Sequence, residues 1–337
     1  MSETPDINEL LGRLADGIPR RMLVAGLGGG GCNAVDGMAE AWTDGPDCVL
    51  LDTDEQALGT CKTSRRLQLG KNLTQGAGAG SDPVVGRLAV EDDLDLLRGL
   101  LRDVDLLILV VGLGGGTGSG GAPVVARTAK EVGTMVLCVA TLPFSFEGDG
   151  RRHHARAGLR DLRMPADAVV VQPNDRLLEI TPTDEALVEA FSAADRTLAT
   201  GVRALWRMLV KPGVINVTFA DLSQLIQYAA GTCTFGFGEG QGPGSADAAL
   251  RELLDNPLLE KGSQLTRAAA LLVCITAGPE LKLSDVQRIM TDINGQACAG
   301  VHTLLGVTLD EDWEDRTAVT VWAAEEWRVP EVETAED

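Results

Sequence analysis

The segment DLLILVVGLGGGTGSGGAP, residues 105–123, joins an unbroken apolar run to a turn made almost wholly of glycine and other small residues. Asp105 to Val111 does not alternate between apolar and polar, which predicts a strand buried on both faces at the centre of a parallel sheet. A glycine-rich stretch such as Gly112 to Gly121 is costly in backbone entropy unless main-chain amides must approach something closely. Ala122-Pro123 then predicts the opening of a helix, where proline is tolerated. Strand, glycine turn and helix in that order place amides and a helix N-terminus around an anion.

The pattern occurs once before. Met22 to Ala25 runs into Gly26-Leu27-Gly28-Gly29-Gly30-Gly31-Cys32-Asn33 and then a helix. Two such loops at the ends of neighbouring strands would grip a triphosphate from both sides. A third, Gly76-Ala77-Gly78-Ala79-Gly80-Ser81-Asp82-Pro83, is expected to close over the terminal phosphate. There is no GxxxxGK[ST], so phosphate charge must be met by amides, by helix N-termini expected at Asn33 and Ala122, and by Mg²⁺. Gly26, Gly28 and Gly31 also satisfy GxGxxG, with Asp52 at the distance of a ribose carboxylate. A nicotinamide or flavin enzyme is therefore a rival reading on those four residues.

Further strands are predicted at Cys48 to Asp52, Met135 to Ala140 and Ala168 to Gln172, alternating with helices as in a sheet covered on both faces. From Asp184 to Leu209, apolar residues recur at helical spacing, and Lys211-Pro212-Gly213 stops the helix. Beyond it come a glycine-rich strand within Gly231 to Gly244, helices near Asp247 to Leu254 and Leu283 to Ile293, and strands Ala268 to Thr276, His302 to Thr308 and Ala318 to Ala324. The predicted fold class is α/β: a Rossmann-like parallel-sheet domain joined by a long central helix to a smaller mixed α/β domain. Its parts are an extension over 1–20, a nucleotide domain over 21–183, the helix over 184–209, the second domain over 210–328 and an acidic disordered tail over 329–337.

Composition narrows the function classes. A net charge of −20 repels polyanions, so no nucleic-acid partner is expected. The seven cysteines form no CxxC pair and read as buried, reduced thiols, with no metal ligands of their own. The N-terminus lacks a secretion signal, and no apolar run approaches the roughly 20 residues of a membrane helix. A cytoplasmic protein without direct membrane binding is expected.

GGGTGSGGAP closely resembles the signature loop of tubulins, and the order of motifs around it resembles bacterial FtsZ, in unbroken order from about Met22 to Trp327. The resemblance implies a GTPase that binds GTP/GDP with Mg²⁺. It assigns Gly28, Gly29, Gly30, Gly31, Cys32 and Asn33 to the first phosphate loop, and Asp54 to the segment DTDEQAL. Ala79 and Gly80 fall in the third loop, and Gly115, Gly116, Thr117 and Gly118 in the signature. In LPFSFEG and beyond, Glu147 is assigned to the sugar and Arg151 to sugar or phosphate. Asn174 in QPNDRLLEI faces guanine, Phe191 stacks on the base, and Asp195 accepts from guanine N1 and N2. A carboxylate suits those two donors and would not suit adenine. Cys32 stands where the family prefers glycine and is expected to add a side chain beside the phosphates.

The resemblance also implies head-to-tail filaments of this chain with itself, in which a loop after the long helix reaches the nucleotide of the next subunit. That loop is Gly213 to Asp221, with Asn216 and Asp221 as candidate catalytic residues. Thr218 stands where the family usually carries a second acidic residue, so slow hydrolysis is expected. Division members carry a linker and an adaptor-binding peptide, whereas this chain stops soon after the last strand. The alternative is a hydrolysis-impaired relative that modulates another FtsZ-type filament protein.

Overall fold

The computed structural model describes residues 21–42, 44–179, 187–228 and 232–325. The expected extension over 1–20 and tail over 329–337 lie outside them, as does the start of the long helix at Asp184. In chain order the elements are β1 (Met22–Leu27), α1 (Gly28–Ala41), β2 (Asp47–Asp52), α2 (Glu55–Thr60), β3 (Arg66–Gln68), α3 (Lys71–Thr74), α4 (Pro83–Glu91) and α5 (Leu94–Leu101). There follow β4 (Leu106–Gly112), α6 (Gly116–Glu131), β5 (Met135–Leu142), α7 (Asp149–Leu162), β6 (Ala168–Pro173) and α8 (Leu187–Val210). The last elements are α9 (Phe219–Tyr228), β7 (Thr232–Gln241), α10 (Ser245–Asp255), β8 (Ala268–Ala277), α11 (Leu283–Gln296), β9 (His302–Leu309) and β10 (Arg316–Glu325).

The strands form one sheet in the order β3-β2-β1-β4-β5-β6-β7-β10-β8-β9. Pairing is parallel from β3 to β7, antiparallel on both sides of β10, and parallel again between β8 and β9. β4 lies at the centre of the parallel part, as its unbroken apolar run requires. Alternate residues of each strand serve opposite layers. Val24, Ile108, Val110 and Val139 pack with Val35 and Met38 of α1 and with Ala194, Leu198 and Val202 of α8. Leu23, Leu107, Leu109 and Val136 pack with Val125 and Ala129 of α6 and Leu162 of α7. A third core joins α10 and α11 to β8 and β10 through Leu253, Ile293, Val273 and Val319.

Two helix starts differ from expectation. α1 begins at Gly28 and α6 at Gly116, so the glycines form the first helical turns instead of loops ahead of them, and Pro123 lies inside α6. The later glycines of the signature are there for packing. A Cβ on Gly120 would stand 1.9 Å from the carbonyl oxygen of Pro83 in α4, so α4 and α6 cross with no room for a side chain. The thiols are free, but Cys298 is exposed, so burial does not extend to every cysteine.

Because the obstacle at Gly120 is backbone, Gly120→Ala must push α4 from α6. A loss of about 1–3 kcal/mol is expected, read as a lower urea midpoint of the nucleotide-free protein. An unchanged midpoint would show that the crossing has slack.

Candidate nucleotide site

The C-terminal ends of β1, β4, β5 and β6 open into a cleft enclosing about 260 Å³. Its floor is made by Gly28 to Gly31 of α1 and by Gly115 to Gly118 at the start of α6. Gly28 has φ +70, a left-handed turn that lets the chain leave β1 and enter the helix at once. No described side chain caps either α1 or α6. Their first-turn amides are left without the partners that helix starts normally find, and both helix dipoles point into the cleft. This is a site for an anion held by main chain.

Behind this floor, the Thr117 and Thr53 hydroxyls lie 2.7 Å apart, and Gly114 N donates to Ser119 Oγ at 2.8 Å. These contacts hold the β4–α6 turn in shape. One wall is formed by Pro143, Glu147 and Arg151. Glu147 accepts from Phe144 N at 2.8 Å and pairs with Arg151 at 2.7 Å, so its carboxylate is oriented before any ligand arrives. Phe144 is fully buried and meets Phe191 edge-on, with ring centroids 5.1 Å apart. Phe191 is thereby held with its side chain 39% exposed at the cleft, a platform for a planar base.

Asn174 and Asp195 complete that end. The Asn174 Oδ1 atom is buried with no partner among the described residues. Burial pushes the Asp195 carboxyl up to about 6, against a smaller opposing pull from Arg196. An acceptor kept short of hydrogen bonds is set to receive donors from a ligand.

Several residues singled out by the sequence do not line the cleft. Cys32 is buried and its thiol donates toward the carbonyls of Gly26 and Leu51, so it faces the interior and not the phosphates. Asn33 is exposed on α1, past its first turn. Asp54 caps α2 through Ala57 N at 2.9 Å. The loop carrying Ala79 and Gly80 packs against the start of α6, where a Cβ on Gly116 would meet Ala79 at 2.8 Å. Asp52 is also turned inward, accepting from Thr53 N at 2.7 Å, which removes the carboxylate that the dinucleotide reading needed. Thr141, Ala194 and Leu198 line the cleft without having been singled out. Only their position at strand ends and on the inner face of α8 marks them.

Asn216 and Asp221 lie past the end of α8. Asn216 Oδ1 accepts from Gly213 N at 2.8 Å, and Val214 N and Val307 N form the bridge that fastens this loop to β9. Asp221 Oδ2 accepts from Thr218 N at 2.8 Å and Thr218 Oγ1 at 2.7 Å, while Asp221 N donates to Thr218 Oγ1. This is a reciprocal capping box at the start of α9. The T-x-x-D spacing carries that signal in the sequence.

Residues 21–182 match the Tubulin/FtsZ family, GTPase domain, and residues 231–325 the FtsZ family, C-terminal domain. The cell division protein FtsZ of Aquifex aeolicus is 37% identical over 307 residues, covering 91% of this chain and 83% of the relative. FtsZ 1 of Archaeoglobus fulgidus is 38% identical over 300 residues, covering 88% and 80%. Among solved structures, an FtsZ dimer of M. jannaschii superposes with a TM-score of 0.84 at 31% identity, covering 95% of this chain and 92% of that one. CetZ1 of Haloferax volcanii shares the fold at 21% identity, with a TM-score of 0.76. The chain belongs to the Tubulin/FtsZ family.

Proposed function

We propose that this chain binds GTP in the cleft, assembles head to tail with copies of itself, and has its nucleotide hydrolysed where loop 213–221 of one subunit meets the cleft of the next. A separation within the chain carries the reading. Asp195 lines the cleft at the C-terminal ends of the strands, whereas Leu222, next to Asp221, packs with Leu205 of α8 and with Leu137 and Ala168 at the starts of β5 and β6, the other end of the sheet. The helix from Asp195 to Val210 alone spans about 22 Å at 1.5 Å per residue. One chain therefore cannot bring Asp221 to its own nucleotide. The M. jannaschii relative was solved as a dimer, in keeping with self-association.

Main-chain amides of α1 and α6 would hold the phosphates, Phe191 would stack on guanine and Asp195 would accept from N1 and N2. Among the described residues no group of three or more His, Cys, Asp or Glu is built to hold a metal. The floor residues Gly28 to Gly31 and Gly115 to Gly118 carry no carboxylate, so Mg²⁺ there would be bound mainly by phosphate oxygens and water and would neutralise phosphate charge. Asp221 has Oδ2 occupied by Thr218, which leaves Oδ1 to orient a water in the neighbouring cleft. Thr218 supplies donors where the resemblance expects a second carboxylate, so the loop carries one charge fewer for polarising that water. The same observation favours the second reading, a GTP-binding relative that turns over poorly and modulates another filament.

Guanine's N–H donors favour the ionised form of Asp195. Affinity for GDP should be full above about pH 6 and fall as pH drops below it, whereas Asp195→Asn should weaken GDP binding about ten- to hundredfold and flatten the profile. Asparagine also donates, so that variant should gain affinity for xanthosine nucleotides, whose C2 carbonyl accepts. A flat profile in the parent would detach Asp195 from the base.

Turnover per subunit should rise steeply with protein concentration. Asp221→Asn, which keeps the capping geometry, should lose about a hundredfold, and Thr218→Asp should be faster than the parent. A rate independent of concentration would defeat hydrolysis between subunits, and a Thr218→Asp protein no faster than the parent would defeat the role given to the missing charge.

A further inference from the structure

Gln172, at the end of β6, is 2% exposed, and both its Nε2 and Oε1 are buried with no hydrogen-bond partner among the described residues. Two residues on, Asn174 Oδ1 is in the same condition. Buried amides are costly unless paired, so three orphaned atoms at one strand end call for a missing partner.

The register gives the direction. Gln172 pairs with Thr141 of β5, and paired residues of neighbouring parallel strands project to the same face. Thr141 lines the cleft, while Gln172 stands one layer behind the lining. The face they share is the one packed by α8, whose Ala194, Asp195 and Leu198 line the base end of the cleft.

We propose that Gln172 is a specificity-determining residue for the base, an inference that rests on guanine being seated against Asn174 and Asp195. Asp195 takes the two donors of the guanine edge and leaves its O6 acceptor without a partner. The Gln172 amide turns toward the seated base, where Nε2 donates one hydrogen to O6 and the other to Asn174 Oδ1. Two of the three orphaned atoms, Gln172 Nε2 and Asn174 Oδ1, are paired in this arrangement. Adenine places a donor where guanine has O6, and meeting it would take a flipped amide with Oε1 forward, which gives up the Nε2 hydrogen bond to Asn174 Oδ1.

The test combines Gln172→Met and Gln172→Leu with GDP and 6-thio-GDP, whose sulfur is a weak acceptor. The expected result has two parts of opposite sign. The thermal midpoint of the nucleotide-free variants holds or rises, because an unpaired buried amide has been removed. Their affinity for GDP falls about fivefold or more while that for 6-thio-GDP changes less than about twofold, a coupling between residue and ligand atom. Equal losses for both nucleotides, or no loss for GDP, would overturn the inference while leaving the proposed function standing. A parent protein with no affinity for GDP would overturn both.

Discussion

No side chain among the described residues caps the two helices that begin at the ends of adjacent parallel strands, and the rest of the molecule is arranged around that deficit. An uncapped helix start exposes amides whose desolvation is unfavourable until something anionic accepts from them. With α1 following β1 and α6 following β4, and β1 paired to β4, two such starts converge on one space. No lysine is needed there, because oriented peptide dipoles supply the positive end. That allows a chain of net charge −20 to concentrate a polyphosphate locally.

The second constraint is the length and rigidity of α8. Its start shapes the base end of the cleft, and its end is clamped on both sides. Lys211 pairs with Asp44 of the α1–β2 connection at 2.5 Å, and Arg207 with Asp310 past β9 at 2.9 Å. Met208 packs against Gly306 and lies 3.3 Å from the Cys274 thiol. Loop 213–221 is then pinned to Val307 by backbone hydrogen bonds. A strut fixed in this way holds cleft and loop at opposite ends, the geometry that a head-to-tail contact requires. The capping box between Thr218 and Asp221 gives α9 a well-made start and engages one oxygen of the loop's carboxylate.

Much of this was legible in the residues. Continuous apolar runs marked the central strands, because burial on both faces leaves no alternation, and the run at 106–111 is fully buried. Apolar spacing marked α8, since a helix packed between two layers needs a long inner face. Glycine clusters located the floor of the cleft, and the motif order located Glu147, Arg151, Asn174, Phe191 and Asp195 around it. The inward turn of Cys32 and Asp52 was not legible, because a residue's facing in a tight strand-to-helix turn depends on where the helix begins.

What the sequence by itself determined is the set of elements, their period and the chemistry of the loops, for these depend on local backbone preference and on which side chains tolerate water. Only the tertiary structure decided which glycines leave room for a neighbouring helix, which polar groups at strand ends lack partners, and that the helix opening at Asp221 packs at the opposite end of the sheet from the cleft. The reason is that van der Waals exclusion and hydrogen-bond satisfaction act between segments far apart in the chain, and no local pattern records them.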